Sequence, residues 1–311
     1  MRRSPSRLRL ADACLYVHGF LPDAPGSERA VIQIVHGMGE HGARYERFAQ
    51  AATDAGYAVY AADCRGHGQT PADESELGHF ADSDGWEKVV ADVEVVAQEI
   101  ARSHPGKPRV VLGHSMGSFI TADYLTRFGQ GVAAAVLSGS AASTGLLGWG
   151  LRAVARAECL RLGPRAHSPL LQKLVFGRFN QAFEPASTEF DWLSRDADEV
   201  ARYVADPRCG FVLSAQSFLD MARGFARYQR REVLARIPHR LPIYLVAGEV
   251  DPVGGREGVT KLAAELRAAG LERVEVRIHA HARHEMLNET NRDEVTREIL
   301  AWLDASLRES G

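Results

Sequence analysis

The stretch RVVLGHSMGSFITADYLTRF, residues 109–128, decides the reading of this chain. RVVL is apolar and β-branched without alternation, the composition of a strand buried on both faces. From Met116 onward the apolar positions take up helical spacing. The two elements meet across Gly113-His114-Ser115-Met116-Gly117, which fits the pattern G-x-S-x-G. Glycines two residues on either side of the serine allow a tight strand-to-helix turn that pushes the hydroxyl out of the backbone. The N-terminus of the helix that follows favours an anion forming there. In that setting Ser115 reads as a nucleophile, not as a turn residue.

Outward from this turn, short β-rich runs alternate with helical segments. AVIQIV (30–35), YAVYAAD (57–63), VAAAVLS (132–138), PIYLVAG (242–248) and VEVRI (274–278) read as further strands. Tyr45 to Ala55, Trp86 to Arg102, Met116 to Phe128 and Arg256 to Ala268 read as helices, and a last helix near 292–307 carries Val295, Ile299, Leu300, Trp302 and Leu303 on one stripe. Continuous apolar strands separated by helices predict an α/β fold with a mostly parallel sheet covered on both faces. The alternation stops between Gly139 and about Pro238, an interval rich in phenylalanine, with two tryptophans and helix-like pieces. A loop of about 100 structureless residues is implausible in a compact domain. The expected organisation is a core of residues 1–138 and 239–311, with 139–238 inserted as a helical cap over the carboxyl ends of the strands, where open α/β sheets bind ligands.

A serine hydroxyl needs a base, and the base needs an acid to hold its tautomer. Asp251, in GEVDP just past the strand PIYLVAG, is the expected acid; Glu249, ahead of the bend, is its rival. His284, in HARHE past the last strand, is the expected base. His281 is an alternative, as is His279, which falls within the strand. An oxyanion hole takes one backbone N–H from the residue after the nucleophile, here Met116, and one from a glycine-rich loop after an early strand. HGMGEH (36–41) follows AVIQIV and offers Met38. Its two histidines and glutamate lack the spacing of a metal site, so neither metal nor cofactor is expected.

Composition narrows the partners. The 311 residues are 45% hydrophobic and 25% charged, with a net charge of -3, which speaks against a nucleic-acid partner. No apolar run approaches the ~20 residues of a membrane span. The arginine-rich start MRRSPSRLRL lacks the apolar stretch of a signal peptide and reads as a frayed terminus. Cys14, Cys64, Cys159 and Cys209 show neither zinc spacing nor a disulfide framework, as for reduced thiols in a cytoplasmic protein.

Taken together, HGMGEH, ADCRGHGQT, GHSMGS, GEVDPVGG and RHEMLNE resemble the monoacylglycerol lipase and lysophospholipase branch of the α/β-hydrolases, also labelled serine aminopeptidase-like. The resemblance runs from about Ala30 to Leu303, and FDWLSRDADEV and DPRCGF are similar to its bacterial members. It implies the nucleophile at Ser115, the acid at Asp251, the base at His284 and oxyanion donors at Met38 and Met116, the residues reached above. Cys64 departs from the family, where histidine is frequent, and reads as a packing substitution because Arg65, Gly66, His67 and Gly68 remain. Asp63 and His67 read as turn and hydrogen-bond residues. The expected activity is hydrolysis of a small lipid-like carboxylic ester, with Leu147 and Trp149 of the cap lining an acyl channel and the cap able to touch a membrane surface transiently. A peptidase, amidase or thioesterase would use the same triad, and Glu184, Glu189, Asp191 and Asp196 could then receive a substrate amine. A dehalogenase would need an aspartate at Ser115. A non-catalytic protein on this fold should have lost a triad member.

Overall fold

Val110 and Leu112 of the quoted stretch pack on one face of a sheet and Val111 on the other, as a period of two requires. A computed structural model describes residues 1–142 and 146–309, the side chains of 146–149 excepted. Its strands are β1 (Arg2–Arg3), β2 (Ser6–Arg9), β3 (Cys14–Leu21), β4 (Ala30–Val35), β5 (Tyr57–Ala62), β6 (Arg109–His114), β7 (Ala134–Ser138), β8 (Ile243–Gly248) and β9 (Val274–His279). Their order is β1-β3-β5-β4-β6-β7-β8-β9, with β2 also on β3. From β5 through β9 the neighbours are parallel, whereas β3 runs antiparallel to β5 and to both β1 and β2. All the strands expected from sequence form, and the sheet is that of an α/β-hydrolase.

The helices are α1 (Glu46–Asp54), α2 (Gly85–Ser103), α3 (Met116–Phe128), α4 (Leu146–Leu162), α5 (Pro169–Phe176), α6 (Ala197–Ala205), α7 (Ala215–Tyr228), α8 (Arg231–Leu234), α9 (Gly255–Ala268) and α10 (Arg292–Glu309). On one face of the sheet Ile32, Ile34, Val110, Leu112, Val136 and Val246 meet Phe48 of α1 and Val295, Ile299 and Leu303 of α10. On the other, Val111, Ala135, Leu137 and Leu245 meet Val89 of α2, Ile120 of α3 and Leu262 of α9. Cutting such a side chain to alanine costs about 2–5 kcal/mol, since the lost transfer energy and the cavity add. Gln33, polar in the wholly buried β4, is accommodated because it donates to the Val93 carbonyl and accepts from Arg109. β9 exposes alternate residues, as an edge strand does.

The amino terminus departs from expectation. It does not fray: β1 and β2 add to β3, with Arg2 opposite Leu21 and Leu8 opposite Leu15. The arginines serve as its outer face, Arg7 lying 5.2 Å over the Tyr16 ring and Arg3 pairing with Glu46. Between β7 and β8 the chain leaves the sheet and forms α4 to α8. Helix α7 packs on the core itself: Phe218, Leu219 and Tyr228 share a cluster with Trp86 and Ile120, and a Cβ at Gly224 would lie 2.4 Å from the Trp86 ring. Register aligns the carboxyl ends of the strands. His114 of β6 sits opposite Ser138 of β7, and Gly248 of β8 opposite His279 of β9, so the loops bearing Ser115, Asp251 and His284 leave from one edge.

Candidate active site

Ser115 has φ 51° and ψ −122°, a conformation that β-carbon-bearing residues avoid and that functional sites retain at the expense of strain. Its flanks explain how the turn closes. A Cβ at Gly117 would fall 2.0 Å from the Val35 carbonyl oxygen, and one at Gly113 would fall 2.4 Å from that of Gly117. No larger residue fits either place. The turn is fastened by the Ser115 N–H, which donates to the Ser138 carbonyl at 2.9 Å, and by Ser118, whose Oγ donates to the Ser115 carbonyl at 2.6 Å.

His284 Nδ1 stands 2.9 Å from both oxygens of Asp251, and both residues are buried. Because a carboxylate only accepts, the Nδ1 carries the proton and Nε2 is left free to accept one. Burial acts to depress the His284 pKa, but the charge and hydrogen bond of Asp251 outweigh it and raise the pKa above its ordinary value. Asp251 also accepts from the Val253 N–H at 2.8 Å, and the Trp192 ring lies 5.0 Å from that of His284. His114 packs 4.8 Å from His284, and burial, reinforced by that neighbour, pulls its pKa down to about 4. It stays neutral and does not compete for the proton.

Ser115, Met38, Met116 and His284 wall one cavity of about 1490 Å³. The Gly37–Met38–Gly39 loop lies directly over the serine, since a Cβ at Gly37 would approach the Ser115 Cβ to 3.1 Å. Glu40 accepts from the Gly37 N–H at 2.5 Å and the Tyr45 hydroxyl at 2.8 Å. The Gly39 carbonyl accepts from the Tyr203 hydroxyl at 2.8 Å and the Gly210 N–H at 2.9 Å, both from the inserted segment. Arg44 bridges Glu40 and Glu285, the neighbour of His284, with its guanidinium 4.8 Å over the Tyr203 ring. Burial works against the charge of Glu40, yet Arg44 beside it and the nearby histidines hold its pKa well below the usual carboxylate range. Sequence reasoning passed over these supports. Glu40 and Arg44 carry a local signal in their i, i+4 spacing; Glu285, far along the chain, carries none.

The rival residues lie elsewhere. Glu249 pairs with Arg256 and accepts from the His281 N–H; His281 is exposed at φ 57°, and His279 ends β9 beside Asn291. Asp63 accepts from the Gly42 and Gln69 amides and His67 meets the Arg65 carbonyl. Cys64 is buried in the core, and burial followed by the charge of Asp92 pushes its thiol far above the usual range, which makes it a poor thiolate. His18, His41 and Asp63, like His41, Asp206 and Cys209, cluster closely enough for metal ligands. Hydrogen bonds of 3.1 Å between His18 and Asp63 and 2.9 Å between His41 and Asp206 already join the histidines to the carboxylates.

The inserted segment supplies much of the rest of the wall, including Leu151, Leu174, Phe176, Phe179, Phe190 and Phe225, with Glu184 and Glu189. Asp191 is instead taken up by the Ser187 and Thr188 amides, and Asp196 by the start of α6 and Arg292. Leu147 and Trp149 lie outside the residues whose side chains are described.

The family described as Serine aminopeptidase, S33 matches residues 26–291. A monoacylglycerol lipase of Mycolicibacterium smegmatis is 29% identical over 289 residues, covering 90% of this chain and 89% of its own. A thermostable carboxyl esterase from Bacillus coagulans, solved with glycerol, superposes with a TM-score of 0.90 at 26% identity and 99% coverage of both chains. A lipase in an open form gives 0.86 at 28% identity, covering 98% of this chain and 99% of its own.

Proposed function

Since the chain belongs to the Serine aminopeptidase, S33 family of α/β-hydrolases and is a carboxylic ester hydrolase, we propose that it cleaves monoacylglycerol- or lysophospholipid-type esters through a Ser115–His284–Asp251 triad. The observation that carries this reading is the buried Asp251–His284 pair closing on the cavity that Ser115 shares with the apolar walls of the insertion. His284 Nε2 takes the Ser115 proton as Oγ attacks the carbonyl, and Asp251 steadies the imidazolium so formed. The backbone N–H groups of Met38 and Met116 receive the oxyanion. His284 then protonates the departing alcohol, an acyl group stays on Ser115, and water repeats the sequence to free the acid.

Residues 139–238 act as a cap in this reading. Buried methylenes contribute about 0.8 kcal/mol each, so a wall of phenylalanine and leucine favours an acyl chain. Exposed Leu160, Leu170 and Leu174 support brief contact of the cap with a membrane surface. No helix among the described residues is long and apolar enough to cross a membrane. The four cysteines are all free, which supports the cytoplasmic placement. A peptidase reading has one observation of its own: Glu184 and Glu189 wall the cavity and could meet an amine. Assaying the purified protein and Ser115→Ala on monoacylglycerols, lysophospholipids, p-nitrophenyl esters of graded length and aminoacyl amides separates the two. Ester turnover that rises with acyl length and vanishes in the variant is expected; faster cleavage of the amides than of any ester would promote the peptidase.

A further inference from the structure

We propose that His36 is a positioning residue of the oxyanion hole, holding and polarising the Gly37–Met38 peptide through its Nδ1–H. The proposal rests on the reading of Met38 as an oxyanion donor. His36 is wholly buried at the end of β4, directly before the loop. The Cys64 N–H lies 2.9 Å from its Nε2, and a backbone amide can only donate, so Nε2 is the bare nitrogen. The ring proton is therefore on Nδ1, which stands 2.8 Å from the Gly37 carbonyl, a group that can only accept.

In a trans peptide the carbonyl and the next N–H point in opposite directions, so fixing the Gly37 oxygen fixes the direction of the Met38 N–H. Hydrogen bonding at that oxygen also makes the N–H a stronger donor, because chained hydrogen bonds polarise one another. The result is a relay of three donations: Cys64 N–H to His36, His36 Nδ1–H to Gly37, and Met38 N–H to the oxyanion. Other fasteners of the loop, Glu40 on the Gly37 N–H and Tyr203 with Gly210 on the Gly39 carbonyl, hold the His36–Gly37 and Gly39–Glu40 peptides and leave this carbonyl to His36. The ring is fixed by His67, 5.1 Å away, whose own Nδ1 is spent on the Arg65 carbonyl. Burial disfavours the charged form of His36, in keeping with a neutral ring of defined tautomer.

His36→Asn returns an N–H near the Nδ1 position, His36→Gln reaches only toward the Cys64 amide, and His36→Leu does neither. Losing a whole oxyanion donor lowers kcat by about 10²–10³, so a donor left unaligned should lower it by on the order of tenfold. His36→Leu and His36→Gln should show that loss with KM nearly constant, and His36→Asn should recover most of it. The carbonyl stretch of an acyl-enzyme formed from a slow cinnamoyl ester should move to higher frequency in the first two variants and return in the third. A kcat in His36→Leu within about twofold of the parent, or a lost kcat with an unmoved carbonyl band, overturns the proposal. Should the variants fail to fold, 15N NMR of histidine-labelled wild-type protein decides: protonated Nδ1 with bare Nε2 supports the relay, and the opposite tautomer ends it. Retained turnover in Ser115→Ala would instead overturn the reading of the site itself.

Discussion

Ser115, on the sheet, and Leu174, on the insertion, wall the same cavity but are placed by different means. The serine stands on a turn where an added Cβ at Gly117 would overlap a carbonyl at 2.0 Å, between strands locked in register and buried throughout. The leucine stands on an eight-residue helix and is 55% exposed. Sterics leave the first no alternative, whereas the second is held by side-chain contacts that substitution can retune. The difference teaches which walls of the cavity are fixed by sterics and which are open to retuning: on the proposed function, the sheet would fix the reacting groups and the insertion would shape what reaches them.

The largest expected effect tests the fixed side. Ser115→Ala should lower kcat by about 10⁴–10⁶ while far-UV circular dichroism and Tm stay close to the parent, because the turn depends on Gly113 and Gly117 and not on the hydroxyl. A fluorophosphonate should label Ser115 in the parent. More than a tenth of the parent kcat in the variant would remove the serine from its role.

Next in size is the support beneath it. Arg44→Met leaves Glu40 and Glu285 buried without their shared cation, and breaking a buried pair in this way costs about 3–5 kcal/mol in urea unfolding. Arg165→Met on the insertion breaks a pair with Asp82 that is exposed at both ends, and should leave the urea midpoint almost unmoved. Equal losses would erase the contrast between the two regions.

The pH dependence follows from His284. Its pKa is raised, so kcat/KM should be flat at alkaline pH and fall about tenfold per unit once the pH drops through a value above ~6.5. Asp251→Asn removes the charge that opposes burial, so the limb should move to lower pH and kcat should drop by about 10⁴. The sign for stability is the reverse of that for activity. The pair stabilises the fold fully below the unfolded pKa of ~6.5, and this contribution fades as pH rises through the raised folded value. A limb that stays in place in Asp251→Asn would break the link between the two residues.

The smallest effects belong to the retunable side. Along a p-nitrophenyl series from C2 to C10, kcat/KM should rise by at most about fourfold per added methylene, the equivalent of 0.8 kcal/mol. Leu174→Asp, Leu147→Asp and Trp149→Ala should penalise long chains several-fold more than acetate. Equal rates across the series would deny the insertion its part in selectivity.

The strands, the turn at Ser115 and the positions of Asp251 and His284 were legible because each is written in a short window: a β-branched run, a glycine pair, a carboxylate or imidazole just past a strand. What escaped is written across the chain. Glu285 meets Arg44, and Tyr203 meets Gly39, over separations that no local pattern spans. The strands β1 and β2 escaped for another reason: Pro5 and four arginines resemble a solvated tail, and only the pairing with β3 gives their backbone groups partners.

The Gly39 carbonyl, gripped by Tyr203 and Gly210, has a consequence for anyone who transplants the insertion of one relative onto the sheet of another. Such a graft exchanges one side of the cavity and, with it, two of the bolts that seat the loop over Ser115. A chimera that keeps the donor's chain-length preference but turns over slowly should be repaired by restoring the tyrosine and glycine at these two places, with the rest of the graft left foreign.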